Sequence, residues 1–332
     1  MTDRTHDIVV IGGSTGAIDA LTDVFRQLPD DFAASIFVTV HVASEAPGYL
    51  PVILERSGPL PARSPSGSER IEPRVIYVAP PDYHLLIDDG YVKLSRGPRE
   101  NRHRPAIDPL FRSAARHHGS RVVGVILSGE LDDGSLGLMA IKMRGGIAIV
   151  QDPNDALAPE MPRRAIRHAR PDYVLQAAQI AGVLARLSRE PVNGRPPEVT
   201  MSIERGRDVP LFESQGNDHK PCKPSAFACP ECHGVLWEVE DGELLRFRCR
   251  VGHAYTAQAL NEGLSETTEA ALWASLRVLE EKAALLHRMA ASNNERAAAR
   301  YQDQAQGYER HAETIRDILK EGLAPDRISE SI

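Results

Sequence analysis

Three polar residues stand where chemistry could be done: Ser14 in IGGSTGA, His41 in VTVHVA and Asp133 in ILSGELDDG. Each follows a run of β-branched apolar residues. Such runs read as buried strands, and an open parallel sheet delivers its strand ends to the mouth of a crevice. A hydroxyl, an imidazole and a carboxylate at one sheet edge are the parts of a nucleophilic hydrolase, whatever their order along the chain. Each residue alone has a plainer role. Serine caps helices, histidine ends strands as a hydrogen-bonded structural group, and Asp before Gly starts turns. Their joint occurrence at three predicted strand ends favours the chemical reading.

The turn Gly12-Gly13-Ser14-Thr15-Gly16-Ala17 joins a strand to a helix. Free N–H groups at the helix start could meet an oxyanion, with Thr15 on that side. The same glycines could cradle a dinucleotide. That site wants an acid at the end of the second strand to meet a ribose. This chain has His41 there, so a nicotinamide cofactor is not expected, nor is any other cofactor needed for catalysis.

A second cluster lies far downstream. All four cysteines fall between Cys222 and Cys249. Cys229-Pro-Glu-Cys232 is a Cys-x-x-Cys knuckle, and Cys249-Arg-Val-Gly-His253 supplies a second pair. Two such pairs around an apolar stretch fit a zinc ribbon, whose hairpin would turn at Asp241-Gly242. His253 would close a Cys3His site; Cys222 is the rival fourth ligand, and His233 a poorer one. A closed four-ligand site has no position for water, so the predicted Zn2+ is structural.

The elements that must position these residues can be read from periodicity. Asp7–Ile11, Ser35–Val42, Val75–Val78, Val122–Leu127 and Ile147–Val150 read as strands. Ala17–Leu28, Asp108–His118, Ser135–Met143 and Ile180–Leu187 read as helices between and after them. The alternation predicts an α/β fold: a doubly wound, mostly parallel sheet with helices on both faces. His84–Leu94 adds a hairpin across Asp-Gly. Four parts are expected. Residues 1–190 form the catalytic domain, 191–226 a Pro-rich linker, 227–260 the zinc-ribbon-like module and 261–332 a C-terminal helical hairpin. In the hairpin, Leu272, Leu276, Leu279, Ala283 and Leu286 mark one apolar face, and the helices could serve a signalling partner or self-association.

Composition sets the outer limits. The chain has 332 residues, 42% hydrophobic, with a net charge of −7. The charge gives no reason to expect nucleic-acid binding. No apolar run approaches the length of a membrane span, and no early stretch reads as a signal peptide, so a cytoplasmic protein without membrane insertion is expected.

The motifs IGGSTGA, VTVHV, VIYVAPPDYHLLI, NRHRPAIDPLFRSAA, VVGVILSG, DDG, GGIAIVQD and MPRRAI, in this order, resemble the catalytic domain of the CheB chemotaxis methylesterases. The resemblance covers roughly Asp7–Leu187. It implies hydrolysis of glutamyl γ-methyl esters on methylated chemoreceptors, and deamidation of receptor glutamines as a second activity. It makes Ser14 the nucleophile, His41 the base and Asp133 the aspartate, with Asp132 one residue early. The family's Gly-Met-Gly-x-Asp-Gly loop is here Gly129-Glu130-Leu131-Asp132-Asp133-Gly134. The backbone N–H of Glu130 then stands where the family's methionine helps hold the oxyanion. Phosphorelay control in that family acts through a receiver ahead of the catalytic domain. Ile8 already opens the first strand here, so the resemblance is to stand-alone members. The alternative is a signalling adaptor that keeps the fold as a platform with weak or no activity. The CPEC…CRVGHAY pattern resembles a C-terminal extension of some stand-alone members.

Overall fold

A computed structural model describes residues 5–192, 223–241 and 244–322. Cys222 lies outside the described residues. In chain order the elements begin β1 (Ile8–Gly13), α1 (Ala17–Arg26), β2 (Ser35–Val40) and α2 (Leu50–Ser57). Short strands β3 (Ala62–Arg63) and β4 (Glu69–Arg70) precede β5 (Ile76–Val78), β6 (His84–Asp88) and β7 (Tyr91–Ser95). There follow α3 (Ile107–His118), β8 (Val122–Ile126), α4 (Ser135–Met143), β9 (Ile147–Gln151), α5 (Glu160–Ala169), β10 (Tyr173–Leu175) and α6 (Ala177–Leu187). The C-terminal part holds β11 (Lys223–Ala228), β12 (Val235–Asp241), β13 (Leu244–Cys249), β14 (Ala254–Thr256), α7 (Ala257–Ala291) and α8 (Glu295–Glu321).

Seven parallel strands form the central sheet in the order β10-β9-β8-β1-β2-β5-β3. β1 and β2 are buried along their whole length, as strands covered on both faces must be. Side-chain alternation divides the core. Val9 and Ile11 face the layer built on α1, α2 and α6, while Ile8 and Val10 face that of α3, α4 and α5. The chain moves outward from β1 through β2 to β5, then returns to β8 on the other side of β1. Strand order therefore reverses beside β1, where open α/β sheets place their sites.

β6 and β7 pair antiparallel across Asp89-Gly90, the hairpin foreseen from Asp-Gly. Two short helices and three short strands (α2, α5, β3, β4 and β10) lie outside the elements expected from the sequence. The Cys-rich segment is a four-stranded antiparallel sheet, β11-β12-β13-β14. Its hairpin pairs Leu236 with Cys249 and Asp241 with Leu244. Its first strand starts at Lys223, inside the segment read as linker, because Pro224 sits at a sheet edge where no N–H is needed. The helical region likewise begins at Ala257, not 261, since Thr256 Oγ1 accepts from the Ala259 N–H and caps the first turn.

The chain divides into two compact units, Met1–Ala259 and Leu260–Ile332. The Cys-rich sheet thus belongs to the same unit as the parallel sheet. In the second unit, Leu276, Ala283 and Leu286 of α7 are buried, as are Ala305 and Ala312 of α8. Asn294 caps α8 by accepting from the Ala297 N–H. Among the described residues no helix is long and apolar enough to cross a membrane.

Candidate active site

The ends of β1, β2 and β8 are laced together beyond their last ladder bonds. The His41 N–H donates to the Gly13 carbonyl at 3.2 Å, and the Ser14 N–H to the Ser128 carbonyl at 2.9 Å. Ser14 and His41 therefore emerge side by side. Both line an open cleft of about 450 Å³ with Val42, Ala43, Ser44, Arg99, Arg102, His103 and Arg104. Helix α1 starts after Gly16, whose φ is +78°, and it has no side-chain cap. Ser14 is thus not spent on capping. Gly12 is demanded by packing: a Cβ there would meet Ile107 Cγ2 at 2.2 Å. That close approach brings the start of α3 beneath the turn.

His41 Nε2 lies 2.8 Å from Asp133 Oδ2. Asp133 sits on the loop from β8 to α4, and Gly134 after it has φ +90°, a turn that glycine allows. The carboxylate is almost fully enclosed and has a full set of partners. Oδ2 also accepts from the Ile107 N–H at 2.6 Å. Oδ1 accepts from Asn101 Nδ2 at 2.9 Å and from the Asp108 N–H at 3.3 Å. The first N–H groups of α3 thus point at an anion, as a helix start favours. Burial pushes Asp133 up, but the His41 hydrogen bond and charge and the Ile107 and Asn101 donors outweigh it and hold it below the usual carboxylate range.

Its neighbour Asp132 faces elsewhere, accepting from Thr256 Oγ1 at 2.7 Å. Of the remaining predicted residues, Thr15 and Glu130 are exposed and neither lines the cleft. The Thr15 carbonyl accepts from Ser128 Oγ at 2.7 Å.

Three contributors escaped the reading of residue types. The His103 ring stacks on His41 with centroids 3.6 Å apart and planes within 10°. Burial, then the nearby His41 charge, lowers His103 to about 3, so it covers the His41 ring as a neutral plate. Asn101 and Asp108 flank Asp133. Asn101 and His103 occupy a polar, Pro-bounded stretch without period, and Asp108 opens a helix that is periodic, so only contacts made in the fold distinguish all three.

Asp108 is buried, accepting from the Gly137 N–H at 2.7 Å and from Asn101 Nδ2 at 3.3 Å. Burial, and then the Asp133 charge, pushes it up to about 7. Native Asp108 keeps its proton over a range where an unfolded aspartate, at 3.8, has lost it. Stability must therefore fall as pH rises between those values. Asp108→Asn, which cannot ionise, is expected to flatten that slope. Thermal midpoints measured from about pH 4 to 8 check this; an unchanged slope in the variant contradicts it.

The cysteine cluster is assembled from two tight turns. In the first, the Cys229 N–H donates to Gly234 and the His233 N–H to Cys229, both at 2.8 Å; in the second, the Cys249 N–H donates to His253 at 3.0 Å. One ligand atom from each of Cys229, Cys232, Cys249 and His253 lies within 4.8 Å of the others. Cys232 and Cys249 sulfurs are 3.6 Å apart, and His253 Nδ1 is 3.7 Å from Cys229 Sγ and 3.5 Å from Cys249 Sγ. A tetrahedral zinc with bonds of about 2.3 Å to sulfur has S···S edges of about 3.8 Å. The donor set fits that ion. His233 is outside the cluster.

The chain also resembles known proteins. The family described as CheB methylesterase matches residues 9–184. A protein-glutamate methylesterase/protein-glutamine glutaminase of Anaeromyxobacter dehalogenans is 36% identical over 183 residues, 55% of this chain and 54% of its own. This chain thus spans about half the length of that relative. A Leptospira interrogans protein whose name carries the same two activities is 38% identical over 191 residues, 57% of this chain and 99% of its own. The crystal structure of the Thermotoga maritima CheB methylesterase catalytic domain aligns with a TM-score of 0.52 at 33% identity, over 55% of this chain and 98% of that one.

Proposed function

Since this chain belongs to the CheB methylesterase family, we propose that it hydrolyses glutamyl γ-methyl esters on methylated chemoreceptors and deamidates receptor glutamines. The observation that carries this reading is the 2.8 Å contact of His41 with Asp133 in a cleft that Ser14 also lines. Because Nε2 of His41 is engaged by Asp133, Nδ1 is the nitrogen left to take the Ser14 proton. Ser14 Oγ attacks the ester carbonyl, and His41 returns the proton to the departing methoxide, releasing methanol. A water activated by the same imidazole then cleaves the acyl-enzyme, leaving a glutamate and free Ser14. A glutamine follows the same course with ammonia as leaving group. Asp133 stays ionised and stabilises the imidazolium. Although the Thr15 and Glu130 side chains do not line the cleft, Thr15 follows Ser14 and Glu130 follows Gly129, where a Cβ would meet Ser14 Cβ at 3.0 Å, and their N–H groups are assigned to the oxyanion. The catalytic steps need no cofactor.

The intact His41–Asp133 pair favours this hydrolase over a catalytically idle platform. Methanol release from a methylated receptor, compared between the full chain and Ser14→Ala, tests the reading. Equal rates would overturn it. The helices α7 and α8, with Trp273, Val278 and Leu285 exposed on α7, are assigned to partner binding or self-association.

We assign Cys229, Cys232, Cys249 and His253 to one structural Zn2+ that ties the two turns of the ribbon. Cys249→Ser is expected to lose one equivalent of bound zinc by metal analysis. Losing a few kcal/mol of ribbon stability corresponds to a drop of about 10 °C in its unfolding midpoint. Equal zinc content in both proteins would overturn the assignment.

A further inference from the structure

The stretch from residue 99 to 104 is gripped from two sides. It folds back through a two-residue turn, with Glu100 and His103 exchanging N–H···O bonds at 3.2 and 2.9 Å. The two turn residues, Asn101 and Arg102, have φ of +49° and +72°. A turn of this kind favours Asn followed by Gly, so Arg102 holds a strained backbone that surrounding contacts must maintain.

On one side of the turn is the triad. His103 covers His41, and Asn101 Nδ2 donates to Asp133 Oδ1. On the other side is β14 of the Cys-rich sheet. The Asn101 N–H donates to the Ala254 carbonyl at 2.8 Å, and the Ala254 N–H to the Arg99 carbonyl at 3.4 Å. The Thr256 N–H donates to Asn101 Oδ1 at 3.0 Å. Thr256 is also the residue whose hydroxyl reaches Asp132. One ion pair and one longer-range charge join the same parts. Arg99 meets Glu231 of the cysteine knuckle at 3.4 Å, and the charge of Arg246 on β13 acts on buried Glu100, which Arg112 of α3 holds at 2.7 Å.

The amide of Asn101 is therefore set at both ends. A backbone N–H can only donate, so the Thr256 N–H requires the amide oxygen. A carboxylate can only accept, so Asp133 requires the amide nitrogen. Turned over, the amide would set donor against donor and oxygen against carboxylate.

We propose that Asn101 is a positioning residue for the His41–Asp133 pair, oriented by the backbone of β14, so that the Cys-rich sheet is a working part of the esterase site. The proposal rests on the hydrolase reading given above. It predicts an effect on turnover and not on substrate affinity, because neither Asn101 nor Thr256 lines the cleft. Asp133 is faced by His41, Asn101, the His103 ring stacked on His41, the carboxyls of Asp108 and Asp132, the Arg112 charge and the first N–H groups of α3. Without the Asn101 donor, the Asp133 charge rests more heavily on His41. The imidazolium is then favoured and the acid limb of the rate profile moves to higher pH.

The test uses the full chain and methanol release from a methylated receptor. Asn101→Ala is expected to lower kcat by tenfold or more, keep KM within about twofold and shift the acid limb upward. Asn101→Asp, of the same size, is expected to do the same with a larger shift. Thr256→Pro removes the N–H that orients the amide and should lower kcat similarly. In an Asn101→Ala background it should add nothing further. Wild-type kcat in either Asn101 variant overturns the proposal. So does a lowered kcat with an unmoved pH profile, or a Thr256→Pro effect that adds in full to that of Asn101→Ala. Should wild type and Ser14→Ala release methanol equally, the hydrolase reading itself falls. Should only the Asn101 and Thr256 variants match wild type, that reading stands and this inference alone falls.

Discussion

Ser14→Ala is expected to lower methyl-ester hydrolysis by about 10⁴-fold or more while leaving the fold unchanged. The substitution removes one hydroxyl from a half-buried position at the end of a buried strand. It takes no cap from α1, which begins behind Gly16 with no side-chain cap. It leaves the Ser14 N–H on the Ser128 carbonyl, because that bond is backbone to backbone. What disappears is the atom assigned to form the acyl bond. Oxyanion donors and the cleft remain, so the residual rate should still exceed that in water. His41→Ala should cost about as much. The double variant should cost little more than either single one, since nucleophile and base act as one unit. Methanol release and the thermal midpoint, measured on the same samples, check both halves of the expectation. Full activity in Ser14→Ala sinks the mechanism, and a lost fold would show that Ser14 serves structure.

Asp133→Asn should be nearly as severe and, unlike Ser14→Ala, should also destabilise. Both carboxylate oxygens accept twice: Oδ2 from His41 and Ile107, Oδ1 from Asn101 and Asp108. An amide has one oxygen and one donor group. Whichever way it turns, its NH2 faces groups that can only donate, or forces His41 into the wrong tautomer. Turnover should fall by about 10⁴-fold, and the stranded donors should cost about 3 kcal/mol of stability. Asp132→Asn is the matched control. Its oxygen can still accept from Thr256 Oγ1, so activity should stay within about tenfold. Steady-state kinetics and denaturant unfolding of the pair decide the matter. A strong loss in Asp132→Asn with little in Asp133→Asn would reverse the assignment.

Asp133 also carries a pH signature opposite to that of Asp108. Its carboxyl is held below the usual range in the native state, so the stability it contributes is present above the ordinary carboxylate pKa. That stability is lost progressively as pH falls from the ordinary carboxylate value through its own lowered one. The two aspartates share Asn101 as a donor. One is kept charged by donors and His41, the other is pushed toward its neutral form by burial and by the first.

Much of this was readable before any coordinates. The strands of the parallel sheet are continuous Val- and Ile-rich runs because both faces are covered, and continuous runs between Gly and Pro are conspicuous. The hairpin at Asp89-Gly90 and the helix Ser135–Met143 follow from turn chemistry and periodicity, which act over a few residues. The cysteine pairs were legible because ligand spacing is local. The helix α5 does bury Met161, Ala165 and Ala169 at four-residue steps, a period that lies there unread. The short edge strand β10 was not legible, since its few residues are held by a neighbour and not by their own preferences. The same holds for the start of β11, whose proline is tolerated only at a sheet edge.

The sequence by itself determined the residue types on offer: a serine, a histidine and an aspartate after buried strands, and three cysteines and a histidine in two pairs. Tertiary structure decided how they are used. Adjacent in sequence, Asp132 and Asp133 are separated only by where each carboxylate points, one to Thr256 and one to His41. Asn101 and His103 acquire their places because a strained turn is closed between the His41–Asp133 pair and β14. Spacing in the Cys-rich segment reveals candidate ligands but not the surface on which the sheet they belong to comes to rest, and that sheet lies in the same compact unit as the parallel sheet. Hydrogen bonds between residues a hundred or more positions apart leave no local pattern, and they are what joins the ribbon to the site.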